Sequence, residues 1–444
     1  MTMPDTQTNN AIKTVNFKTV GCKLNQSETD VIGQQFTTKG YELKKFGDEV
    51  DLTIINTCSV TNAADRDCRA LIRQAIKTSP KARIVVTGCY AQVAPQDIKK
   101  IAGVDLILGN QEKFKIFDYL KSIEAKLVDE PLVYVNERGK ITTTSDPETI
   151  ASTSRSRAFL KVQDGCDYFC TYCIVPFARG RARSVPYADI LHEAHGLADK
   201  GFKEIVLTGV NIGTYHDTEQ NKSLTDLMRA LQQIKGLERM RLSSIEPNLV
   251  TNEMIDLFKT SSVICPHFHI PLQSGDNATL ASMHRKYSIE DFASLVTRIR
   301  KDLPLAAIGT DVIVGFPGET DEQFEDTMHF IIDEQLAYLH IFSYSPRKGT
   351  AAAHSSQQVS VATIKKRSRI LHEVGTKLRL DYYKNFIGKT VSVHFDQTKG
   401  ENILGYSENY IRVAVPYKNI KRGNIMPVRL TGLDTGKIIC TGAL

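Results

Sequence analysis

The chain has 444 residues, of which 41% are hydrophobic and 24% charged, the composition of a globular protein long enough for about three domains. No apolar run approaches the roughly 20 residues of a bilayer-spanning helix, and residues 1–10 have no signal-peptide core. These features exclude membrane and export classes and predict a cytoplasmic protein with no membrane partner. The net charge is +6, but residues 361–444 carry 15 Lys or Arg against 6 Asp or Glu. That excess fits either an RNA partner or a basic, merely soluble domain.

Residues 1–13 are polar and are predicted to be disordered, whereas residues 14–121 alternate apolar strands with helices. Such alternation predicts an N-terminal domain built on an open parallel α/β sheet that helices cover on both faces. The strands are predicted at residues 15–20, 52–56, 83–87 and 104–108, with a helix at residues 62–78.

One cysteine follows each of the first three predicted strands: Cys22, Cys58 and Cys89. Because the carboxyl ends of parallel strands lie at one edge of a sheet, we expect these thiols to meet at a common rim. Nine cysteines without an export signal favour metal ligation or catalysis over disulfides. The placement favours a three-cysteine iron–sulfur site over three small buried side chains. The other cysteines outside the triplet described below show no pattern and are predicted to pack in cores: Cys68, Cys265 and Cys440.

After a polar stretch at residues 122–156, predicted to be a linker, a second series of strands and helices fills residues 157–380. Six strand–helix units in this length predict a partial (β/α)6 barrel, whose C-terminal mouth is where such enzymes place their chemistry. The barrel strands are predicted at residues 158–162, 204–208, 240–243, 267–270, 308–314 and 338–344.

The loop after the first barrel strand carries three cysteines at C-x-x-x-C-x-x-C spacing: Cys166, Cys170 and Cys173. Three thiolates can hold three corners of a cubane iron–sulfur cluster and leave one iron open, whereas an electron-transfer cluster normally takes four cysteines. A structural zinc site also takes four ligands, and no fourth Cys or His lies near this triplet in the sequence. The spacing therefore predicts a cluster with an iron that is free to bind a substrate.

Polar or glycine-containing segments follow the other barrel strands, and their common position at the mouth favours cofactor contacts over simple turns. Glu246 could accept a proton from an amine or a ribose hydroxyl. The candidate cofactor-binding residues are Tyr172, Thr208, Gly209, Asn211, Ser244, Glu246, Gln273 and Val314.

A helix is predicted at residues 360–386, followed by strands at residues 390–395, 410–415, 426–431 and 437–441. Short strands divided by Gly and Asn turns predict a small antiparallel β-barrel over residues 381–444, of a kind that binds nucleic acids. Basic residues of this region and of the loop after the triplet are candidate RNA contacts, although a solvated basic loop at residues 179–183 fits as well. They are Arg179, Arg181, Arg183, Lys365, Lys366, Arg367, Lys421 and Arg422.

Two three-cysteine sites in this order resemble the radical S-adenosylmethionine (SAM) methylthiotransferases, and the resemblance covers residues 14–444. It implies an α/β fold with a methylthiotransferase domain, a radical-SAM barrel and a TRAM-like RNA-binding β-barrel. It also implies two [4Fe–4S] clusters. The cluster on the catalytic residues Cys166, Cys170 and Cys173 would cleave SAM to a 5′-deoxyadenosyl radical. The auxiliary cluster, held by the three cysteines of the N-terminal domain, would present sulfur, and SAM would also donate the methyl group.

Branches of this family modify isopentenyladenosine in tRNA, an aspartate of a ribosomal protein, or N6-threonylcarbamoyladenosine beside the anticodon. Residues 19–28, around Cys22, most resemble the third branch, although Arg181-Ala182-Arg183 departs from the acidic residue expected in that run. The resemblance implies methylthiolation of carbon 2 of threonylcarbamoyladenosine at tRNA position 37. A pocket with an Arg or Lys is expected for the threonyl carboxylate. The other two substrates, or a non-enzymatic iron–sulfur redox sensor that binds RNA, are the alternatives.

The same resemblance implies four further features: the tRNA anticodon stem-loop as partner, an electron donor of the flavodoxin or ferredoxin type, a sulfur donor, and a monomeric enzyme.

Overall fold

The computed structural model describes residues 12–124, 130–137, 155–417 and 419–443. Residues 1–11 of the segment predicted to be disordered, and most of the predicted linker, lie outside the described residues. Contacts between Cα atoms divide the chain into a first unit of residues 1–59 and 63–141 and a second unit of residues 60–62 and 142–444. Within the described ranges, no helix is long and apolar enough to cross a membrane.

The first unit contains a six-stranded, wholly parallel sheet with the strand order β2-β1-β3-β4-β5-β6. Its strands are β1 (Thr14–Thr19), β2 (Glu42–Lys44), β3 (Leu52–Thr57), β4 (Arg83–Gly88), β5 (Leu106–Leu108) and β6 (Leu132–Tyr134). The four predicted strands are confirmed. Sequence patterns missed β2 and β6, which have three residues each and only one partner strand, so that they show no periodicity. Because β6 falls within residues 122–156, that segment is not wholly a linker.

Helices cover both faces of this sheet. They are α1 (Lys23–Thr38), α2 (Asn62–Thr78), α3 (Cys89–Val93), α4 (Pro95–Lys99) and α5 (Ile116–Glu124). Ile54 and Val85 belong to the apolar core on one face, and their neighbours Ile55 and Val86 belong to the core on the other. Every residue of β3 is buried, as expected for a central strand of a doubly covered parallel sheet.

The second unit begins with a partial barrel. Its strands and two-residue ladders are β7 (Ala158–Lys161), β8 (Gln163–Asp164), β9 (Arg183–Ser184), β10 (Glu204–Thr208), β11 (His216–Asp217), β12 (Lys222–Ser223), β13 (Arg239–Leu242), β14 (His267–His269), β15 (Ala307–Val314) and β16 (Tyr338–Ser343). The helices are α6 (Val175–Arg179), α7 (Tyr187–Asp199), α8 (Leu224–Leu231), α9 (Asn252–Thr260), α10 (Asn277–Ser282), α11 (Ile289–Asp302) and α12 (Asp321–Asp333).

Six of these strands form two parallel three-stranded sheets, β13-β10-β7 and β14-β15-β16. The sheets join where the Cys265 N–H donates to the Met240 carbonyl at 2.9 Å and the Ile245 N–H donates to the His269 carbonyl at 3.0 Å. Within the described residues, the outer edge of β16 pairs with no strand, so the barrel is open on that side. The predicted partial (β/α)6 barrel is thereby confirmed.

Alternate residues of each barrel strand point outward to the helices and inward to the lumen. Ile205, Met240 and Phe268 pack in the core beneath the helices. Their neighbours Glu204, Arg239, Arg241 and His267 therefore face the lumen, although each is at least nine-tenths buried. The lower lumen is thus polar and charged rather than apolar.

The C-terminal part of the chain contains α13 (Val361–Lys384) and a closed five-stranded barrel. Its strands are β17 (Thr390–Lys399), β18 (Asn402–Ser407), β19 (Arg412–Pro416), β20 (Ile425–Asp434) and β21 (Ile439–Ala443). The pairs are antiparallel except β19–β21. This confirms the predicted small β-barrel. It adds β18, which was not predicted because Asn402 and Gly405 are residue types common in turns.

The C-terminal barrel seats on the amino-terminal end of the larger barrel through buried ion pairs around Glu204, here called the basal ion cluster. Arg241 Nε lies 2.9 Å from Glu204 Oε1, and Arg239 and Arg157 each place a guanidinium nitrogen 3.6 Å from the same carboxylate. Arg241 also donates to the carbonyls of Ser407 at 2.6 Å and Glu408 at 2.9 Å. The basal ion cluster therefore joins the two barrels of the second unit.

Candidate active site

The loop with the cysteine triplet is anchored by a buried carboxylate, Asp164, at the end of β8. Lys161 Nζ lies 2.7 Å from Asp164 Oδ2, and Arg179 contributes a nitrogen 3.0 Å from Oδ1. Burial alone would raise the pKa of Asp164, but the charges of Lys161, Arg179 and Arg183 outweigh it and hold that pKa below its usual range. Arg179 is 2% exposed. Its prediction as an RNA contact is therefore wrong, because its guanidinium is buried in an ion pair with Asp164 within the loop.

Gly165 makes the turn into the triplet possible. Its φ is +71°, and a Cβ there would lie 1.9 Å from the carbonyl oxygen of Arg181. The next residue, Cys166, donates its N–H to the Gly180 carbonyl at 3.1 Å. Both the left-handed backbone and the close approach require glycine.

Replacing Gly165 by Ala is therefore expected to release the triplet loop. Gly201 is the matched control, because its φ is +86° but nothing lies within 4 Å of a Cβ there. In both variants the free energy of unfolding should fall by about 1–2 kcal/mol, because alanine is strained in the left-handed backbone. Only Gly165→Ala should also lose about half of the iron that the protein binds on anaerobic reconstitution. Iron analysis with thermal unfolding measures both effects. Full iron content in Gly165→Ala would contradict this role.

The thiols of Cys166, Cys170 and Cys173 lie close enough to interact electrostatically. Burial, followed by the interaction with Cys170, raises the pKa of Cys166 to about 11 and that of Cys173 to about 12. Among the described residues, neither cysteine triplet brings its three sulfur atoms within 4.8 Å of one another. A single Zn²⁺, with Zn–S of about 2.3 Å, would require sulfurs about 3.8 Å apart. Neither triplet therefore has the sulfur spacing that a single zinc ion requires.

Arg285 is a functional candidate that sequence patterns missed. Its side chain is 2% exposed and ion-paired with Glu246, and one nitrogen lies 3.1 Å from Cys170 Sγ. The same nitrogen lies 3.4 Å from the Tyr172 hydroxyl. A cation that contacts a cysteine of the triplet, a carboxylate and a tyrosine belongs to the site, but it comes from a turn more than 100 residues away.

In the first unit, the strand order places Cys22, Cys58 and Cys89 just past the carboxyl ends of β1, β3 and β4. Thr57 pairs with Gly88 in the register, so Cys58 and Cys89 leave neighbouring strands side by side. A Cβ on Gly21 would lie 2.9 Å from Cys58 Sγ, which shows how closely the Cys22 turn approaches Cys58. The predicted rim of thiols is therefore present.

Polar side chains support this rim. Asn110 Nδ2 donates to Cys89 Sγ at 3.7 Å, and Lys113 Nζ donates to Asn110 Oδ1 at 2.8 Å. Lys113 is also paired with Glu28 at 2.6 Å, and both side chains are at most 1% exposed. This buried pair fixes the amide that faces Cys89.

The predicted SAM contacts lie at the barrel mouth. They differ in how many of their polar atoms are already hydrogen-bonded within the protein. Neither atom of the buried Asn211 carboxamide makes a well-formed hydrogen bond within the described residues. Gln273, with φ of +64°, bridges to β15 through its backbone and shares a cavity with Tyr172. Asn211 is 4% exposed, and a buried amide with unused hydrogen-bonding capacity fits a polar ligand.

The remaining predicted contacts are partly committed to the protein. Thr208 Oγ1 donates to the Leu160 carbonyl at 3.2 Å, and Ser244 Oγ lies 2.6 Å from His269 Nδ1. Gly209 approaches Gln163 so closely that a Cβ would lie 2.9 Å from Oε1. The Val314 side chain is buried in the core, so only its backbone is available and a side-chain contact is ruled out.

The predicted RNA contacts divide into exposed and buried groups. Arg181, Lys365, Lys366, Lys421 and Arg422 are exposed. The Arg183 side chain is 12% exposed and lies 3.4 Å from Asp164. Arg367 is 4% exposed and pairs with Glu319 at 2.5 Å and Asp321 at 2.7 Å. Its prediction as an RNA contact is wrong, because it fastens α13 to the loop before α12.

Two family models match the chain. The Radical SAM superfamily matches residues 160–331, and the uncharacterized protein family UPF0004 matches residues 14–109. The threonylcarbamoyladenosine tRNA methylthiotransferase MtaB of Bacillus subtilis (strain 168) is 39% identical over 94% of this chain and 93% of its own length. The chain belongs to the MtaB-type radical-SAM methylthiotransferases. The predicted family is thereby confirmed.

Other methylthiotransferases are similar over comparable lengths. The MtaB of Thermotoga maritima is 37% identical over 97% of each chain. The tRNA-2-methylthio-N(6)-dimethylallyladenosine synthase of Desulfotalea psychrophila is 33% identical over 94% of this chain and 95% of its own. A solved structure of the radical SAM methyltransferase TsrM from Kitasatospora setae shares the fold, with a TM-score of 0.56, 15% identity and 77% of each chain covered. As a radical-SAM enzyme, this methylthiotransferase uses SAM and a [4Fe–4S] cluster.

Proposed function

We propose that this enzyme adds a methylthio group to carbon 2 of N6-threonylcarbamoyladenosine at position 37 of tRNA, giving 2-methylthio-N6-threonylcarbamoyladenosine. The observation that carries the proposal is nearly full-length similarity, at 35–40% identity, to five relatives named for threonylcarbamoyladenosine tRNA methylthiotransferase activity. Two separate three-cysteine sites in one chain support it, since the reaction needs both a radical source and a sulfur carrier.

Cys166, Cys170 and Cys173 would hold the [4Fe–4S] cluster that, when bound, supplies the reductive cleavage of SAM. The chain's own residues orient the cofactor. The Asn211 carboxamide, which interacts with the Tyr168 hydroxyl, can both donate to and accept from SAM. Arg285 holds Glu246 in place at the mouth and donates a hydrogen bond to Cys170 Sγ. Tyr172 and Gln273 line the cavity beside them.

Cys22, Cys58 and Cys89 would hold the auxiliary [4Fe–4S] cluster, which when bound supplies a site for the sulfur that is transferred. The buried Lys113–Glu28 pair and Asn110 keep the Cys89 thiol in position on the rim. The Asn110 amide contacts Cys89 and the Gly21 turn approaches Cys58, so the fold of the first unit preorganises these thiols.

Exposed basic residues would bind the anticodon stem-loop through its phosphates. They are Arg181, Lys365, Lys366, Lys421 and Arg422. An unpaired loop makes it easy for the target base to leave its stack. A flavodoxin or ferredoxin would supply electrons, a separate donor would supply sulfur, and the enzyme would act in the cytoplasm as a monomer.

Deleting the gene tests this function in cells. Mass spectrometry of tRNA nucleosides should show 2-methylthio-N6-threonylcarbamoyladenosine lost and its precursor accumulated, while methylthiolated isopentenyladenosine stays constant. Re-expression should restore the product. If the product persists in a strain with no second enzyme of this branch, or if the isopentenyl product is the one that disappears, the substrate assignment is wrong.

A further inference from the structure

A cavity of about 340 Å³ lies within the second unit, beside the open edge of β16, α13 and the C-terminal barrel. Three cations line it: Arg379, Arg412 and Lys437. Tyrosine rings and His340 form much of the remaining wall, and none of the described lining residues is Asp or Glu. The cavity is therefore both aromatic and positively charged.

The cavity lies against the lumen-facing side chains of β16. Leu339 and Ile341 pack against the helical core, so Tyr338 and His340 point inward and line the cavity from the lumen side. His340 Nδ1 lies 3.2 Å from Asp311 Oδ1, and Asp311 in turn lines the mouth cavity that contains Tyr172 and Gln273. Three residues of strand, or about 10 Å, separate His340 from the carboxyl end of β16. The His340–Asp311 contact thus links this cavity to the mouth cavity.

Arg379 is the cation in this cavity that lacks a protein counterion. Arg412 pairs with Asp396 at 2.9 Å, and Lys437 lies 3.3 Å from Asp434. The Arg379 guanidinium lies 5.6 Å from the centre of the Tyr338 ring, and no hydrogen bond or ion pair joins it to any described residue. A half-buried guanidinium without a carboxylate is suited to a bidentate anionic ligand.

Flat rings beside this guanidinium favour a ligand with a planar part. Tyr406 and Tyr410 stack with their centroids 4.7 Å apart and their planes at 16°. Tyr410 also stacks on His267, with ring centroids 4.3 Å apart, so the stacked rings extend to a side chain that faces the lumen. The wall therefore offers ring faces next to a fixed positive charge.

We propose that this cavity binds the threonylcarbamoyl substituent of the target adenosine, with Arg379 pairing with its carboxylate. The inference rests on the proposed function and names the group that reads its substrate. A base whose carbon 2 is at the mouth can direct its N6 substituent down the lumen past His340. A planar carbamoyl joined to a carboxylate matches the ring faces and the unpaired guanidinium. A backbone phosphate has the same charge, but the cavity's lumen-side walls favour a substituent of the inserted base.

Binding of stem-loops that differ only at position 37 tests the proposal. Reconstituted holoenzyme is titrated with anticodon stem-loops that carry threonylcarbamoyladenosine or unmodified adenosine. Arg379→Ala should weaken binding of the modified loop about tenfold or more and leave the unmodified loop within about twofold. Lys377→Ala is the matched control, because Lys377 is an exposed cation on the same helix that does not line this cavity. It should change both affinities equally and slightly.

Arg379→Lys keeps the charge and should restore part of the discrimination, which separates recognition from a folding defect. Equal weakening of both loops by Arg379→Ala would assign Arg379 to a backbone phosphate and overturn the proposal, as would unchanged discrimination. These outcomes differ from failure of the proposed function. In that case the wild-type enzyme itself would bind both loops equally and convert neither.

Discussion

Replacing Cys173 by Ala is expected to abolish 5′-deoxyadenosine formation, whereas replacing Cys89 by Ala is expected to leave it intact and abolish methylthio transfer alone. The two triplets lie in separate units of the chain. Each has three thiols, which is one fewer than a closed cluster site, so removal of one leaves too few ligands. Cys89→Ala should therefore lose methylthio transfer alone, whereas Cys173→Ala should lose both SAM cleavage and the methylthio transfer that depends on it.

Anaerobic assays with excess reductant and SAM measure 5′-deoxyadenosine and the modified nucleoside in the same reaction. Each variant should also bind about half of the wild-type iron. Cys68→Ala and Cys265→Ala are matched controls, because both thiols are buried and Cys68 donates to the Cys58 carbonyl at 3.5 Å without belonging to a triplet. Both controls should keep full iron content. Loss of 5′-deoxyadenosine in Cys89→Ala would show that the sites are not independent.

Replacing Glu204 by Gln is expected to destabilise the second unit by about 3–5 kcal/mol, because it leaves the buried Arg241 guanidinium without a carboxylate partner. Glu204 is fully buried and interacts with Arg241, Arg239 and Arg157. Arg241 is in turn bound to the C-terminal barrel. Urea unfolding should show the loss, with the C-terminal barrel detaching at lower denaturant.

Glu238→Gln is the matched control, since Glu238 pairs with Lys203 at 2.6 Å on the surface, with the two side chains 45% and 38% exposed. An exposed pair contributes at most about 1 kcal/mol. Equal effects of the two substitutions would mean that the basal ion cluster does not join the barrels.

The basal ion cluster also predicts how stability depends on pH. Burial tends to raise the pKa of Glu204, but Arg241 and its other partners lower it from 4.5 to about 2. Burial lowers the pKa of His394 from 6.5 to about 4. In both cases the unfolded chain binds protons more readily than the folded chain, so stability is lost as the pH falls. The loss attributable to His394 should occur between about pH 6.5 and 4, and that attributable to Glu204 between about pH 4.5 and 2. The lower step should be absent in Glu204→Gln.

Both cysteine triplets could be found from the sequence, one by its spacing and the other because parallel strands end at one edge. The short strands β2 and β6 could not, since three residues carry no periodicity. The roles of basic side chains were the part of the site that sequence patterns predicted least well. Arg179 and Arg367 look like surface charges in a basic run, but tertiary contacts bury them against Asp164 and Glu319. Arg285 and Arg379 sit at sites that distant elements complete, so local sequence does not reveal them.

The central claim is that this one chain carries out both SAM cleavage and sulfur insertion at threonylcarbamoyladenosine. The most direct measurement incubates purified holoenzyme with SAM, reductant, a sulfide source and stem-loops that carry threonylcarbamoyladenosine, isopentenyladenosine or adenosine. Mass spectrometry should find the 2-methylthio product on the threonylcarbamoyl loop alone, with 5′-deoxyadenosine formed in the same reaction. A methylthio product on the isopentenyl loop instead, or 5′-deoxyadenosine with no methylthio product on any loop, would contradict it.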